Sequence, residues 1–454
     1  MKTDLKKLNE KRVLVKDIFE SKGKKVLLKG WIYEIRDLAK LKFFLLRDFS
    51  GIIQCIIKDK KLMNKISELS LESVVEVEGE VQKANVKAEF VRNDVEVKVS
   101  NLKIISKAEK LPIHVNEKTT STDLSKRLDY RGLDLRKPKI QAIFKIQSTI
   151  GSSFKNYFVN KGFIDVHTPS LISASSEGGT DLFEAKYFEK KVYLAQSPQL
   201  YKQMLACSIE NVVTIAPVWR AEKHNTVRHL NECRQMDIEM AFADAKIVMK
   251  EMEDVVKYIV GEVMEKNKAE LELLGINLKV PKAKYMTFEE VANLMKKHKV
   301  KIGNDDLTGE AERKLDELFK DTIVFVYDWP MNGKPFYIMP KQGQESLRTS
   351  PKRGQSKEKK ANVELSEGFD AIYKGMEISS GGQRIHIPEL LEKRLKVKGL
   401  NPKDFKSYVD SFRFGAPPHS GWSIGIERFT QVLLELSNIR EAVLFPRDRD
   451  RVVP

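Results

Sequence analysis

Residues 211–242 read NVVTIAPVWRAEKHNTVRHLNECRQMDIEMAF. The first nine are largely apolar and suit a buried strand. The last eight alternate Gln235, Asp237 and Glu239 with Met236, Ile238 and Met240, so one strand face is apolar and the other carries three polar groups in a row. Between them, residues 220–232 hold ten polar or charged side chains in thirteen positions. Strand, charged loop, strand predicts an antiparallel pair, and with it a domain built on a sheet. A surface hairpin accounts for the charged loop but not for the polar row on an otherwise buried strand. An anion-binding loop over two carboxylates accounts for both, because arginine's planar fork matches phosphate oxygens.

The flanking sequence extends this picture. Residues 139–162 place Ile143, Ile146, Ile150, Phe154 and Phe158 at helical spacing and stop at Gly162. Thr287 and Glu290 form a capping box ahead of another helix. Strands recur around 322–339, 369–380 and 421–426. The expectation for 139–454 is an α+β domain on a mostly antiparallel sheet. Within residues 1–105, five strand candidates start at about residue 24, with one helix (60–69) between the third and fourth. That order matches an OB-fold barrel, a common binder of single-stranded nucleic acid. Residues 106–138 are polar and aperiodic and read as a hinge. Residues 341–367, with seven basic and four acidic side chains and almost no large apolar ones, read as a disordered insertion.

A chain of 454 residues is too long for one core. Its formal net charge of +16 favours a polyanionic partner. The three cysteines, Cys55, Cys207 and Cys233, are too few and too scattered for a disulfide framework or a structural zinc site. The first residues, MKTDLKKLNEK, contain no apolar leader segment, and no window is apolar enough to span a bilayer. The expected protein is soluble and cytoplasmic, with no membrane partner.

Four more stretches carry chemistry. In GFDAIYKGMEISSGGQRIH, 368–386, Lys374-Gly375 suits a two-residue hairpin turn. That turn pairs Ile372 with Glu377 and brings Asp370 and Glu377 to one face, where two carboxylates suit Mg²⁺. A pair of solvated acids is the competing reading. Gly381 and Gly382 admit close backbone approach just before Arg384. In LAQSPQLYKQM, 194–204, Gln199 and Lys202 lie one helical turn apart. SASSEGGTDLF, 173–183, is a glycine-rich loop holding Glu177. In GWSIGIERF, 421–429, Arg428 falls in a helix's first turn, where a cation opposes the dipole and so is expected to face an anion.

In this order the pieces resemble the class II aminoacyl-tRNA synthetases, most closely the aspartyl-tRNA synthetases of the archaeal and eukaryotic kind, from about residue 24 to the end. RAEKHNTVRHLNE resembles the family's motif 2, GWSIGIERF its motif 3 and GFIDVHTPSL its motif 1; QSPQLYKQ, SEGGTDLF and EISSGGQRIH are similar to further signatures. The resemblance implies ATP as co-substrate, Mg²⁺, L-aspartate, tRNA-Asp and a homodimer. Arg220 would hold the α-phosphate with Glu222 nearby, Arg228 and His229 the outer phosphates, and Arg428 the adenine and γ-phosphate. Arg220 and Arg428 would be the catalytic pair. Asp370 and Glu377 would ligate the metal. Glu177, Ser197, Gln199 and Asp237 would surround the substrate's amino group, and Lys202 and Arg384 its side-chain carboxylate. Arg36, Phe43 and Gln54 would read the anticodon, with Tyr33 near its last base. Motif 3 departs from the family at Ser423, where glycine is usual, and the C-terminal run departs at Asp450. The alternatives are an asparagine–tRNA ligase, or a non-catalytic paralogue that binds RNA. Whether tRNA-Asn is also charged stays open.

Overall fold

A computed structural model describes residues 12–38, 41–86, 91–116, 122–173, 182–223, 226–349 and 360–454. In it, strands β1 (Lys25–Leu38), β2 (Leu41–Arg47), β3 (Ile52–Ile57), β4 (Val74–Lys83) and β5 (Val91–Ser106) close into a barrel in the order β1-β2-β3-β5-β4. The helix Lys60–Ser67 joins β3 to β4, and the Asp59 side chain caps it. This is the OB-fold. Alternating residues such as Leu28, Ile32, Phe44, Leu46 and Ile53 fill the barrel. The strands pass so closely that a Cβ on Gly30 would sit 2.2 Å from the Arg47 carbonyl oxygen.

The chain splits into two units, 1–138 and 139–453. The described part of the expected hinge packs on the barrel instead of hanging free. Ile113, Val115 and Leu128 are buried. Arg47 donates to the Arg136 carbonyl at 2.7 Å, and both arginines meet Glu72, at 2.7 and 3.1 Å. Arg136 is therefore an ion-pair partner for the barrel's end, while Arg127, Arg131 and Lys137 pair with Asp134 within the segment.

In the second unit, strands are β6 (Ile164–Asp165), β7 (Leu171–Ile172), β8 (Glu184–Tyr187), β9 (Lys190–Leu194), β10 (Asn211–Trp219), β11 (Glu232–Ala241), β12 (Lys282–Thr287), β13 (Thr322–Tyr327), β14 (Pro340–Thr349), β15 (Lys360–Ser366), β16 (Gly368–Tyr373), β17 (Met376–Gln383) and β18 (His419–Gly425). Eight of them form one sheet, β12-β13-β16-β17-β18-β11-β10-β6, antiparallel except at its two outermost pairs. Trp422 leaves the back of β18 and packs on Phe154 and Phe158 of the helix Pro138–Asn160. Its neighbours Ser423 and Gly421 are thereby turned to the front. β14 and β15 pair as a two-stranded ribbon. Within 341–367, residues 341–349 and 360–366 thus pair as strands, which side-chain polarity did not foretell: backbone pairing needs no apolar side chains. Residues 350–359 lie outside the described residues.

Candidate active site

The front of the sheet is built from three strands far apart in sequence. Gln235 lies beside Gly425, Asp237 beside Ser423, and Glu239 beside Gly421, while Ser423 also faces Ser380 of β17. Over this floor lies a cavity of about 290 Å³. Its walls include Ser197 and Gln199 at the start of the helix Gln199–Ile209, Arg384, the loop residues Arg220, Glu222, Arg228 and His229, and Arg428. Three buried polar atoms among the lining residues, Gln199 Nε2, Gln235 Oε1 and Ser379 Oγ, have no partner in the described structure. Buried polar groups rarely stay unpaired, so their donors and acceptors await a ligand.

At the deep end, Arg384 Nε and Nη2 donate to the two oxygens of Glu239 at 2.9 and 3.4 Å. Two of Arg384's three nitrogens are therefore taken by Glu239, and Nη1 is the one that Glu239 leaves. Burial opposes the charge on Glu239; Arg384 and Lys202 overcome it and hold the carboxyl below its ordinary range. Lys202 also meets protein groups. It is 1% exposed and does not line the cavity. Its ammonium donates to Asp237 Oδ1 at 2.8 Å and to the Ile238 and Trp422 carbonyls, with Glu239 at 3.3 Å. Three acceptors saturate its three donors, so it acts on the cavity through Asp237. Burial lifts Asp237 above the usual carboxylate range despite Lys202. Ser423 donates to Asp237 at 3.2 Å, so its hydroxyl holds the acid rather than crowding the floor.

At the other end, Arg428 donates to the Glu377 carbonyl at 3.2 Å. Arg220 and His229 flank Glu222 at 4.0 and 3.7 Å, and Arg228 meets Glu312 at 3.2 Å. Lys374 and Gly375 form the two-residue turn, with φ of 47° and 73°. A bulge at Ile378 sets Glu377 opposite Ile372 and Ser380 opposite Asp370. Burial and the nearby Asp370 push the Glu377 carboxyl up to about 7. Asp370 takes Lys334 at 2.8 Å. Glu177 lies outside the described residues.

On the barrel, Arg36 pairs across to Phe43, and Leu45, two residues along, pairs with Gln54. Arg36, Phe43 and Gln54 therefore share one outer face. Arg36 donates to Glu34 and Gln54 to Glu96, both at 2.7 Å. Tyr33 lies on the same outer side, beside Leu45, but is covered there rather than open. A bulge in β1 makes Ile32 and Tyr33 consecutive buried residues. The ring is 5% exposed, packed with Leu45, Ile52 and Val115, with the Arg47 guanidinium 5.6 Å from its centre.

Sequence reasoning missed Glu239 as Arg384's partner, Lys334, Glu312 and Glu427. Glu239 was visible in the polar row and Glu427 in GWSIGIERF, beside Arg428; Lys334 and Glu312 come from segments with no local signature. Glu427 accepts the Arg234 backbone N–H at 3.0 Å, and burial pushes its carboxyl up to about 7. A raised carboxyl favours the folded state at low pH. That contribution is whole below about 4.5 and is lost as pH rises through about 7. Glu427→Gln is therefore expected to be more stable than wild type by about 2–3 kcal/mol at pH 8. The gain should vanish near pH 4.5, as read by urea unfolding across pH.

A family model described as tRNA synthetases class II (D, K and N) matches residues 123–449, and one described as an OB-fold nucleic acid binding domain matches residues 26–105. The chain is 44% identical over 444 residues to the aspartate–tRNA(Asp/Asn) ligase of Methanocaldococcus jannaschii, covering 96% of each. It is 38% identical to the aspartate–tRNA(Asp) ligase of Thermoplasma acidophilum, covering 95% of this chain and 97% of that protein. Among solved structures, asparaginyl-tRNA synthetase of Pyrococcus horikoshii with asparaginyl-adenylate aligns at TM-score 0.88 and 32% identity over 98% of this chain and 99% of that one. Aspartyl tRNA synthetase of Entamoeba histolytica aligns at TM-score 0.84 and 30% identity, over 98% of this chain and 93% of that one.

Proposed function

The chain belongs to the class II aminoacyl-tRNA synthetases, and on that footing we infer that it joins L-aspartate to tRNA at the expense of ATP. The observation that carries the choice of amino acid is Arg384: fixed by Glu239, it keeps one guanidinium edge toward a cavity that also holds Asp237. Aspartate's side-chain carboxylate meets that edge, and its ammonium meets Asp237. Ser197 and Gln199, on the cavity wall, complete the grip on the ammonium. An amide side chain presents N–H to a cation and leaves it unmatched. The test is pyrophosphate exchange with aspartate and asparagine side by side. Aspartate should win by at least about 10⁴; equal rates, or a preference for asparagine, would overturn the substrate assignment and leave the fold standing.

The chemistry we infer is attack by an aspartate α-carboxylate oxygen on the α-phosphorus of ATP. A C–O–P linkage forms and pyrophosphate leaves. The terminal tRNA hydroxyl then attacks the acyl carbon, and AMP leaves. Arg220 holds the α-phosphate beside Glu222, Arg228 and His229 hold the outer phosphates, and Arg428 covers the nucleotide. These residues supply position and charge. Asp370 and Glu377 fit Mg²⁺: a buried and a half-buried carboxylate whose mutual repulsion already shows at Glu377. The ion would neutralise phosphate charge there. A non-catalytic paralogue would not need these groups, and a charging assay with tRNA-Asp and tRNA-Asn tests both that alternative and the breadth of the tRNA choice.

Arg36, Phe43 and Gln54 form the anticodon-reading face. Phe43→Ala is expected to raise KM for tRNA about tenfold through one lost base stack and to leave exchange untouched; an equal loss in exchange would reverse the domain roles. We place a second copy of the chain on the β6 side, where Val159, Ile164 and Leu171 stand exposed. Light scattering should give the mass of two chains. The three cysteines are free, which supports a reducing cytoplasm, and no helix among the described residues is long and apolar enough to cross a membrane.

A further inference from the structure

The β8–β9 hairpin carries three unfavourable features at once, each at an exposed place. Its two-residue turn, between the paired Tyr187 and Lys190, is Phe188-Glu189. Phe188 sits at φ 53°, in the left-handed region where such turns ordinarily use Asn or Gly. Its ring is 73% exposed and stands edge-on to the exposed Tyr187, 4.9 Å between centres. Behind the turn, Lys186 pairs directly across from Lys191, like charge against like. Lys191 is drawn off to Glu184 at 2.5 Å. Lys186 and Lys190 make no ion pair among the described residues. Strain kept at an exposed site with no return inside the fold points to a ligand.

Aromatic faces flanked by unpaired lysines are the chemistry of single-stranded nucleic acid: bases stack and phosphates pair. Position agrees. β9 leads within three residues to Ser197 on the cavity wall, so the tip lies no more than about 27 Å of chain from it. We propose that this hairpin binds the unpaired 3′ end of the tRNA as it enters the cavity, with Phe188 and Tyr187 stacking on bases and Lys186 and Lys190 meeting phosphates. The proposal rests on tRNA being the second substrate.

Phe188→Asn tests it, because asparagine accepts the turn's backbone and the fold should hold. Dissociation constants are measured for the full-length tRNA and for the same tRNA shortened by its unpaired 3′ nucleotides. Wild type should bind the full-length form about tenfold more tightly; the variant should lose that difference and bind the shortened form as wild type does. Lys186→Gln with Lys190→Gln should flatten the salt dependence by about 0.7 in slope per lysine. Aspartate-dependent exchange, which uses no tRNA, should be unchanged. An intact difference in the variant, equal weakening of both tRNAs, or dissociation of the dimer in light scattering would overturn the proposal, the last by making the hairpin a subunit contact. A wild type that charges no tRNA at all would overturn the reading beneath it as well.

Discussion

Arg384→Leu should lose aspartate-dependent exchange by about four orders of magnitude and should unfold more easily by about 3–5 kcal/mol. The two effects have different origins. Activity goes because the guanidinium edge facing the cavity is gone. Stability goes because Glu239 keeps its charge in a fully buried place and loses its bidentate partner. It cannot swing away: a Cβ on the neighbouring Gly421 would lie 2.2 Å from Glu239 Oε2, so the carboxylate already occupies the space that only glycine leaves. The double variant Arg384→Leu/Glu239→Gln removes both charges and should recover most of the stability while remaining inactive. Urea unfolding separates the variants, and exchange above a tenth of wild type in either would sink the assignment of Arg384.

Lys202→Met should be damaged as severely, through the fold first. The ammonium is the point where Asp237, Glu239 and two strand carbonyls converge. Methionine fills the volume but leaves two buried carboxylates facing each other, which breaks a paired cluster at about 3–5 kcal/mol. Asp237 should then hold a proton at neutral pH, and a protonated acid cannot take the substrate's ammonium. KM for aspartate should rise by orders of magnitude. Adding Asp237→Asn should restore stability in urea without restoring KM. A Lys202→Met protein as stable as wild type, with only a weaker side-chain grip, would show that the lysine meets the ligand directly.

The fold was legible where periodicity was clean. The five barrel strands alternate inward and outward, and the turn at Lys374-Gly375 announced itself by residue type. Tyr33 was hard to place: simple alternation puts it opposite Arg36, three residues on, and a single bulged residue returns it to Arg36's face; nothing in WIYEIRD marks the bulge or the cover that Val115 gives the ring. The ribbon within 341–367 left no trace in the sequence pattern because its strands are polar and pair through the main chain. In the cavity, residue types located the charged groups but not their partners. Lys202 and Arg384 both read as ligands for a carboxylate; which carboxylate they meet depends on Asp237 and Glu239 arriving from another strand. Glu312, on the helix Gly309–Leu318, is 84 residues from Arg228, a distance at which sequence pattern carries no signal.

The order of strands across the large sheet also sets when the sheet can exist. The barrel closes within residues 25–106, so that unit can fold while the rest is still being synthesised. The catalytic sheet cannot. Its middle strand, β18, is the last one made, and it alone joins β17 to β11. Until residue 425 has left the ribosome the chain holds two half-sheets, β12-β13-β16-β17 and β11-β10-β6, each with an unpaired inner edge and half of the cavity floor. A ribosome that stalls short of β18 would release a chain with two open edges and no active site, which gives quality control a clear signal and gives aggregation its best opportunity.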